Sequence, residues 1–205
     1  MNVNKHAVRT ARTRRHLEQV AHRLFEARGF AAVSAEELAA EAGVTRGALY
    51  HHYGGKEGLF AAVAEARMRE LHEAIARKAG AAKDPWSALA IGARAFLDET
   101  SHPRVQQLLF VDAPAVLGWQ GWRDMDARYG LGMVQRALEA AMAGDRGAAA
   151  VAAHVLVSAL IEAAMLLARA EDKPAARREA ERVIAALITA LRGGLPAPSR
   201  AAPPA

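Results

Sequence analysis

The stretch SAEELAAEAGVTRGALYHHY, residues 34–53, predicts two short helices that meet at a sharp corner. Ser34 and Glu37 match a capping box, in which the two residues satisfy each other's free backbone N–H groups at a helix start. Gly43 ends this helix after barely two turns, and Thr45 offers an N-cap hydroxyl to the next one. The pattern is typical of a helix-turn-helix, whose second helix enters the DNA major groove. A plain corner in an unrelated helical bundle is the alternative for this segment alone.

The composition of the 205-residue chain favours helices throughout. Hydrophobic residues make up 52% of the chain and aromatic residues only 5%, and Ala and Leu, both abundant here, rank among the best helix formers. We therefore predict an all-α fold. Preference for Arg over Lys, together with much Ala, Gly and Pro, is typical of a bacterial genome of high GC content.

Basic residues gather at the N-terminus. The 27 Lys and Arg exceed the 22 Asp and Glu, and no acidic residue precedes Glu18. Such an arm is either a solubilising tail or a nucleic-acid contact, and only its neighbour can decide between the two. Its basic residues are Lys5, Arg9, Arg12, Arg14 and Arg15.

Several classes of protein are not expected from this sequence. The chain has no cysteine, so neither a disulfide framework nor thiolate chemistry is available. Its first residues lack the apolar core of a signal peptide, and no uninterrupted apolar stretch reaches the ~20 residues that span a bilayer. We expect a soluble, cytoplasmic protein without a membrane partner, a cofactor or a metal.

Apolar periodicity divides the chain into about nine helices. The first is expected over about residues 10–28, and a long connector over 56–80 follows the corner. Asp84 and Pro85 form the N-cap and first position of a further helix. The last two helices are expected at 148–170, apolar on most of its circumference, and at 175–192, which is amphipathic. The predicted organisation is a helix-turn-helix domain with its basic arm at 1–56, a larger helical domain at 57–193 and a disordered tail at 194–205.

The second helix of the corner carries the candidate DNA contacts. Val44 and Leu49 are apolar and should lock this helix in place, while the helix N-terminus at Thr45 presents backbone N–H groups to a phosphate. The Arg46 guanidinium suits the O6 and N7 acceptors of guanine, although a second phosphate contact is equally compatible. The full set of predicted DNA-binding residues is Ser34, Thr45, Arg46, Gly47, Tyr50, His51, Lys56 and Arg14.

The N-terminal part of the sequence resembles a known family. The run LEQVAHRLFEARGFAAVSAEELAAEAGVTRGALYHHYGGKEGLFAAV, residues 17–63, is similar to the DNA-binding domain of TetR-family (tetracycline-repressor-like) regulators. Departures are small: Ser34, Leu38 and Tyr53 stand where Thr, Ile and Phe are common. The resemblance implies that Tyr50 and Lys56 clamp phosphates, which positions the protein on DNA without specifying the sequence.

The second half also resembles this family. The run VDAPAVLGWQGWRDMDARYGLG, residues 111–132, is similar to a stretch in the C-terminal ligand-binding domains of one subset. The resemblance implies a homodimer through the last two helices, 148–170 and 175–192, and a cavity for an unknown small-molecule effector. It also implies a ligand-responsive repressor of a palindromic double-stranded operator, with an activator of the same fold as the alternative.

Aromatic and polar residues of this half are candidates for the cavity wall. Aromatic residues at helical spacing are more often core than ligand contacts, so both interpretations stay open. The candidate pocket residues are Trp86, Phe96, Phe110, Trp119, Trp122 and Tyr129, with Asp112, Arg123 or His154 as the polar anchor.

Two other functions have weaker support in the sequence. A di-iron enzyme needs paired E-x-x-H segments on facing helices, whereas Glu99 to His102 gives the spacing once and Pro103 follows immediately. Walker A, G-x-S-x-G and G-x-G-x-x-G motifs are absent from the sequence, so we do not expect an enzyme. A ligand-independent architectural DNA-binder would leave the large apolar second half unexplained.

Overall fold

The computed structural model of the protein describes residues 2–142 and 145–194, and these residues form helices and no strand. The prediction of an all-α fold is confirmed. Except for Gly194, the tail predicted to be disordered lies outside the described residues. Two π-helical stretches, Gln106–Asp112 and Ala127–Leu131, join α6 to α7 and α7 to α8. The α-helices are α1 Asn2–Arg28, α2 Ala35–Glu41, α3 Arg46–Tyr53, α4 Lys56–Ala79, α5 Pro85–Thr100, α6 Pro103–Val105, α7 Ala113–Asp126, α8 Gly132–Ala141, α9 Arg146–Arg169 and α10 Lys173–Arg192.

Side-chain caps set the starts of the later helices. Asp84 accepts a hydrogen bond from the Ser87 backbone N–H, as the Asp-Pro pair predicts. Asp145 and Asp172 cap α9 and α10 in the same way. Both helices therefore begin two residues before the predicted starts at 148 and 175, because the cap and not the first apolar residue determines where a helix begins.

The first helix is longer than predicted. It begins at Asn2 and not near residue 10, so the basic arm is helical. Apolar periodicity starts only at Leu17, but the segment before it contains neither Gly nor Pro, so nothing interrupts the helix on its N-terminal side.

The π-helical stretches and a kink interrupt the middle of the chain. Gly118 lies inside α7 with φ 71° and ψ 160°, a conformation that breaks the helix there. Pro114 stands in the first turn of α7, directly after the first π-helical stretch, and has no N–H to donate to a carbonyl of the preceding turn. The apolar pattern of the sequence predicts one helical segment over residues 119–142, and the structure divides this range among α7, a π-helical stretch and α8.

Helix α4 runs through both halves of the molecule. Its N-terminal part buries Phe60, whose ring lies edge-on to Phe25 at 5.2 Å and to Phe30 at 5.0 Å between centroids. Its C-terminal part buries Leu71 and Ile75 among the helices of the second half. One hydrophobic core is therefore continuous along α4, and the division at residues 56 and 57 stays a prediction.

Helix α9 is the most apolar helix of the second half. By length and composition alone it could cross a membrane, but His154 and Glu162 interrupt its apolar run and half of its most apolar window is buried in this fold. Its buried face packs against α8 and α10. Val151, Val155 and Leu166 remain 58–64% exposed, so an apolar face of this helix is left uncovered.

Candidate nucleic-acid interface and internal cavity

The corner between α2 and α3 is built by local hydrogen bonds. Ser34 Oγ accepts the Glu37 N–H at 3.1 Å, and Thr45 Oγ1 accepts the Ala48 N–H at 3.1 Å. Gly43 has φ 62°, and an added Cβ there would meet no atom within 4 Å. The glycine is therefore required for its left-handed conformation and not for space.

The two faces of α3 differ sharply. Leu49 is fully buried and holds the helix on the core, with Val44 partly buried just before it. The opposite face is exposed, and Tyr50 is 44% accessible. An exposed polar face on the second helix of such a corner is the surface that enters a major groove. The predicted contact residues on this face are Thr45, Arg46, Gly47, Tyr50 and His51.

Arg46 is held by two neighbours. Its Nη1 lies 2.6 Å from Glu36 Oε1, and its Nη2 donates to the Tyr50 hydroxyl at 3.3 Å. The guanidinium carbon is 5.2 Å from the centroid of the Tyr50 ring. The Tyr50 hydroxyl and the Glu36 carboxylate both raise the Arg46 pKa. Arg46 is therefore charged, and any DNA contact through this side chain would have to compete with Glu36.

The acidic residues of α2 are all paired with arginines. Glu36 pairs with Arg46, and Glu41 pairs with Arg23 at 2.6 Å. Glu37 accepts from Arg28, which also donates to the Ala32 carbonyl. These exposed pairs contribute little to stability, but they neutralise carboxylates that would otherwise repel a phosphate backbone.

We predict that Glu36→Gln tightens DNA binding about 2- to 5-fold at low salt, because an exposed ion pair of this kind is worth little more than that. The substitution frees Arg46 and removes one negative charge beside the groove. Fluorescence anisotropy with an operator duplex measures the change. Glu41→Gln is the matched control, since its partner is Arg23, and equal effects of the two variants would contradict a specific role of Glu36.

Tyr53 fastens the end of α3 to α1. Its hydroxyl donates to Glu18 Oε1 at 2.7 Å, and the Arg14 guanidinium carbon lies 5.3 Å from the centroid of its ring. Burial and the Glu18 carboxylate raise the Tyr53 pKa to about 12, so the hydroxyl stays a donor. Arg14 is exposed beside α3, which places the basic half of α1 next to the predicted DNA contacts.

Lys56 makes contacts that the sequence did not indicate. Its Nζ donates to the carbonyls of Phe30 at 3.1 Å and Val33 at 2.9 Å, and it lies 3.8 Å from the centroid of the Phe30 ring. Two of its three N–H groups thus hold the connection between α1 and α2. The remaining donor is available for a phosphate, and this contact stays a prediction.

A cavity of about 280 Å³ lies between α4, α5, α8 and α9. Its wall is almost entirely apolar, with residues such as Ile75, Leu89 and Leu160. Two ionisable side chains, His72 and Asp126, interrupt this wall. They are buried, at 7% and 4% exposure, and the sequence did not single out either of them.

Most of the predicted pocket residues lie elsewhere. Phe96 lines the cavity. Trp122 is fully buried in the core, where its Nε1 donates to the Leu109 carbonyl at 2.7 Å, whereas Trp119 is 59% exposed. Phe110 packs edge-on between Phe96 and Trp122. Aromatic spacing did not separate the core from the cavity, because both are apolar.

The expected polar anchors do not line this cavity either. Asp112 accepts from the Phe30 backbone N–H at 2.8 Å and from Gln107 at 2.8 Å, which ties the first π-helical stretch to the end of α1. His154 is exposed on α9. The predicted residues that do not line the cavity are Trp86, Phe110, Asp112, Trp119, Trp122, Arg123, Tyr129 and His154.

His72 and Asp126 influence each other's protonation. Burial lowers the His72 pKa, while the Met68 carbonyl and the Asp126 carboxylate oppose this shift. Burial raises the Asp126 pKa, and His72 and Arg123 oppose it. The Tyr129 ring stacks on His72 with centroids 6.4 Å apart, and its hydroxyl donates to Glu65 at 3.0 Å.

The described part of the chain offers no cluster of metal-ligating side chains. No group of three or more His, Cys, Asp or Glu side chains there could hold a metal ion. Glu99, from the single E-x-x-H spacing, pairs with Lys78 at 3.0 Å.

Two family models match the chain. The model described as bacterial regulatory proteins, tetR family, matches residues 19–63, which contain α2 and α3. The model described as tetracyclin repressor-like, C-terminal domain, matches residues 86–191, which contain most of the second half.

Individual proteins show the same similarity. The HTH-type transcriptional regulator AcrR of Shigella flexneri is 47% identical over 53 residues, which are 26% of this chain and 25% of that protein. The uncharacterized HTH-type transcriptional regulator TtgW of Pseudomonas putida is 31% identical over 103 residues, 50% of this chain and 74% of that protein.

Solved structures extend the similarity to the full fold. A TetR-family transcriptional regulator from Pectobacterium atrosepticum superposes with a TM-score of 0.73 at 32% identity, covering 92% of this chain and 96% of that one. RolR in complex with resorcinol has a TM-score of 0.68 at 21% identity, covering 92% and 97% of the two chains. At that lower identity the likeness concerns the fold alone.

Proposed function

Because the chain belongs to the TetR family of bacterial regulatory proteins, we propose that it is a homodimeric, sequence-specific repressor that a small molecule releases from a palindromic operator. The observation that carries the proposal is the exposed polar face of α3 beside the basic half of α1. An activator of the same fold is the second candidate, since both bind DNA through the same surface.

The contacts divide between affinity and specificity. Thr45 and Tyr50, with the basic residues of α1, should contact phosphates, which fix the orientation of the protein and make binding fall steeply with salt. We propose that the Arg46 guanidinium contacts a base edge once it leaves Glu36, with which it pairs in this structure. Ser34 at the start of α2 can donate its hydroxyl proton to a phosphate while its oxygen caps the helix.

Selection of duplexes from a random library tests this proposal. We expect a palindrome for the unmodified chain, and we expect Arg46→Ala to bind it about 5- to 150-fold more weakly and to lose preference at one position of each half-site. Arg12→Ala is the control, because loss of a phosphate contact weakens binding to all sequences alike. Equal binding to the selected and to random duplexes would favour an architectural DNA-binder and overturn the proposal.

A second copy of the chain is the proposed partner of α9 and α10. Val151, Val155 and Leu187 line one open apolar groove of about 690 Å³, and Leu166 and Val183 line a second groove between the same helices. An exposed apolar face that continues along two neighbouring helices is typical of an interaction site. Isologous pairing of these helices would cover both grooves and place two copies of α3 about 34 Å apart in the simplest operator.

Ligand response is proposed to pass through α4. This helix carries Phe60 in the core of the DNA-binding half, and its last turns supply His72, Ile75 and Ala79 to the cavity wall. The Asp112 to Phe30 hydrogen bond is a second link between the halves. A ligand that favours a different position of α4 would change the spacing of the recognition helices. The resorcinol complex of RolR supports a small-molecule site in this fold.

The proposed place of action is the cytoplasm, where the operator is accessible. The proposed partners are thus operator DNA, a second copy of the chain and a small effector. The family is one of transcriptional regulators and not of enzymes, and the proposed mechanism needs binding energy alone.

A further inference from the structure

The polar end of the internal cavity restricts the chemistry of what can bind there. His72 and Asp126 are the ionisable side chains among the described residues that line the cavity. Each is more than nine-tenths buried. Buried polar groups normally have hydrogen-bond partners, and one without a partner calls for an explanation.

The hydrogen bond of His72 fixes which ring nitrogen is free. Its Nδ1 lies 2.8 Å from the Met68 carbonyl oxygen, which can only accept, so Nδ1 carries the proton. Burial lowers the His72 pKa, which favours the neutral ring. Nε2 is therefore a bare acceptor.

Gly130 brings this nitrogen and the Asp126 carboxylate to one place. A Cβ added to Gly130 would lie 2.6 Å from His72 Nε2 and 3.5 Å from Asp126 Oδ1. Gly130 itself lines the cavity. The two acceptors thus converge beside Gly130, where a side chain would collide with His72.

The Asp126 carboxylate accepts no hydrogen bond from the described residues. Within residues 2–142 and 145–194 no hydrogen bond to its carboxylate is found, and His72 and Arg123 act on it only through charge. A buried carboxylate in this state lowers the stability of the unliganded fold. A ligand that donates hydrogen bonds would remove that cost.

We propose that the cavity binds a small, mostly apolar molecule with one polar head that donates hydrogen bonds: an ammonium group to both His72 Nε2 and Asp126, or a hydroxyl group to one of them. The proposal rests on the proposed function, which makes this cavity the effector site. The volume of about 280 Å³ is at the small end for ligand pockets. An anionic head is disfavoured, because it offers no donor to His72 Nε2 and is repelled by the ionised form of Asp126.

Four probes with one hydrocarbon body test the head group. They are 4-phenylbutan-1-ol, 4-phenylbutylamine, 4-phenylbutanoate and butylbenzene, each titrated calorimetrically into the full chain without DNA. We expect the alcohol, the amine or both to bind about tenfold more tightly than the hydrocarbon and the carboxylate, since a hydrogen bond to a buried charged group is worth that much. Equal binding of all four, or binding of none, overturns the proposal.

Variants of Asp126 distinguish recognition of a hydroxyl from recognition of an ammonium group. They also distinguish ligand binding from a purely structural role of the carboxylate. Asp126→Asn should remove the advantage of the amine and retain that of the alcohol, whereas Asp124→Asn, an exposed neighbour bonded to Gln120, should change neither. Asp126→Leu should abolish head-group selectivity and raise the Tm of the unliganded protein by about 2–4 °C. A lower Tm would assign the carboxylate a structural role and overturn the proposal. These measurements contain no DNA, so failure to select an operator is a separate result.

Discussion

Replacing Val155 and Leu187 with glutamate should convert the proposed dimer to monomers and lower operator affinity by about 100-fold or more, since one half-site then binds without the help of the other. Both side chains line the same groove, at 58% and 37% exposure. Two carboxylates placed there would be buried without partners in a symmetric interface, and their desolvation opposes association strongly.

Light scattering during gel filtration measures the mass, and anisotropy with full and half operators measures the binding. Ile91→Glu is the control, because Ile91 is 39% exposed on α5, away from both grooves. The double variant at Val155 and Leu187 should bind a half operator as well as the unmodified chain does, since α3 is unaltered. If the double variant remains dimeric, α9 and α10 do not form the dimer interface.

Trp122→Ala is expected to destabilise the fold by about 3–5 kcal/mol, the usual cost of truncating a buried aromatic side chain. Its indole is fully buried, donates to the Leu109 carbonyl, and lies edge-on to Phe110 with centroids 6.1 Å apart. The substitution leaves a cavity and removes the donor from a buried carbonyl.

Trp119→Ala is the matched control. The two indole rings lie 5.1 Å apart, but Trp119 is 59% exposed, so its truncation should change stability by about 0.5 kcal/mol or less. Urea unfolding at one fixed protein concentration compares them, because dimerisation makes stability depend on concentration. Similar losses for both variants would contradict the assignment of Trp122 to the core.

The DNA-binding corner could be predicted from the sequence because its determinants are local. Ser34 and Thr45 cap helices through bonds to residues three positions away, and Gly43 supplies a backbone conformation that depends on one residue. The predicted start of α1 was wrong, since it relied on apolar periodicity, which an exposed helical segment does not need. The π-helical stretches left no sequence signal that we recognised.

The ligand cavity could not be predicted in the same way. His72 and Asp126 belong to α4 and α7, more than fifty positions apart in the sequence, and neither has a neighbour that marks it as functional. Asp112 was a candidate anchor and instead bonds to Phe30 across the two halves of the molecule. Polarity alone does not indicate whether a residue faces a cavity or a neighbouring helix.

The sequence by itself determined the helical fold, the helix-turn-helix and the family, because helix caps, glycine conformations and a continuous run of similar residues are all local properties. Only the tertiary structure decided that Trp122 is core, that Lys56 holds the α1–α2 connection, and that Arg46 rests against Glu36. Those outcomes depend on which distant side chains meet when the helices pack, and the packing follows from the whole core.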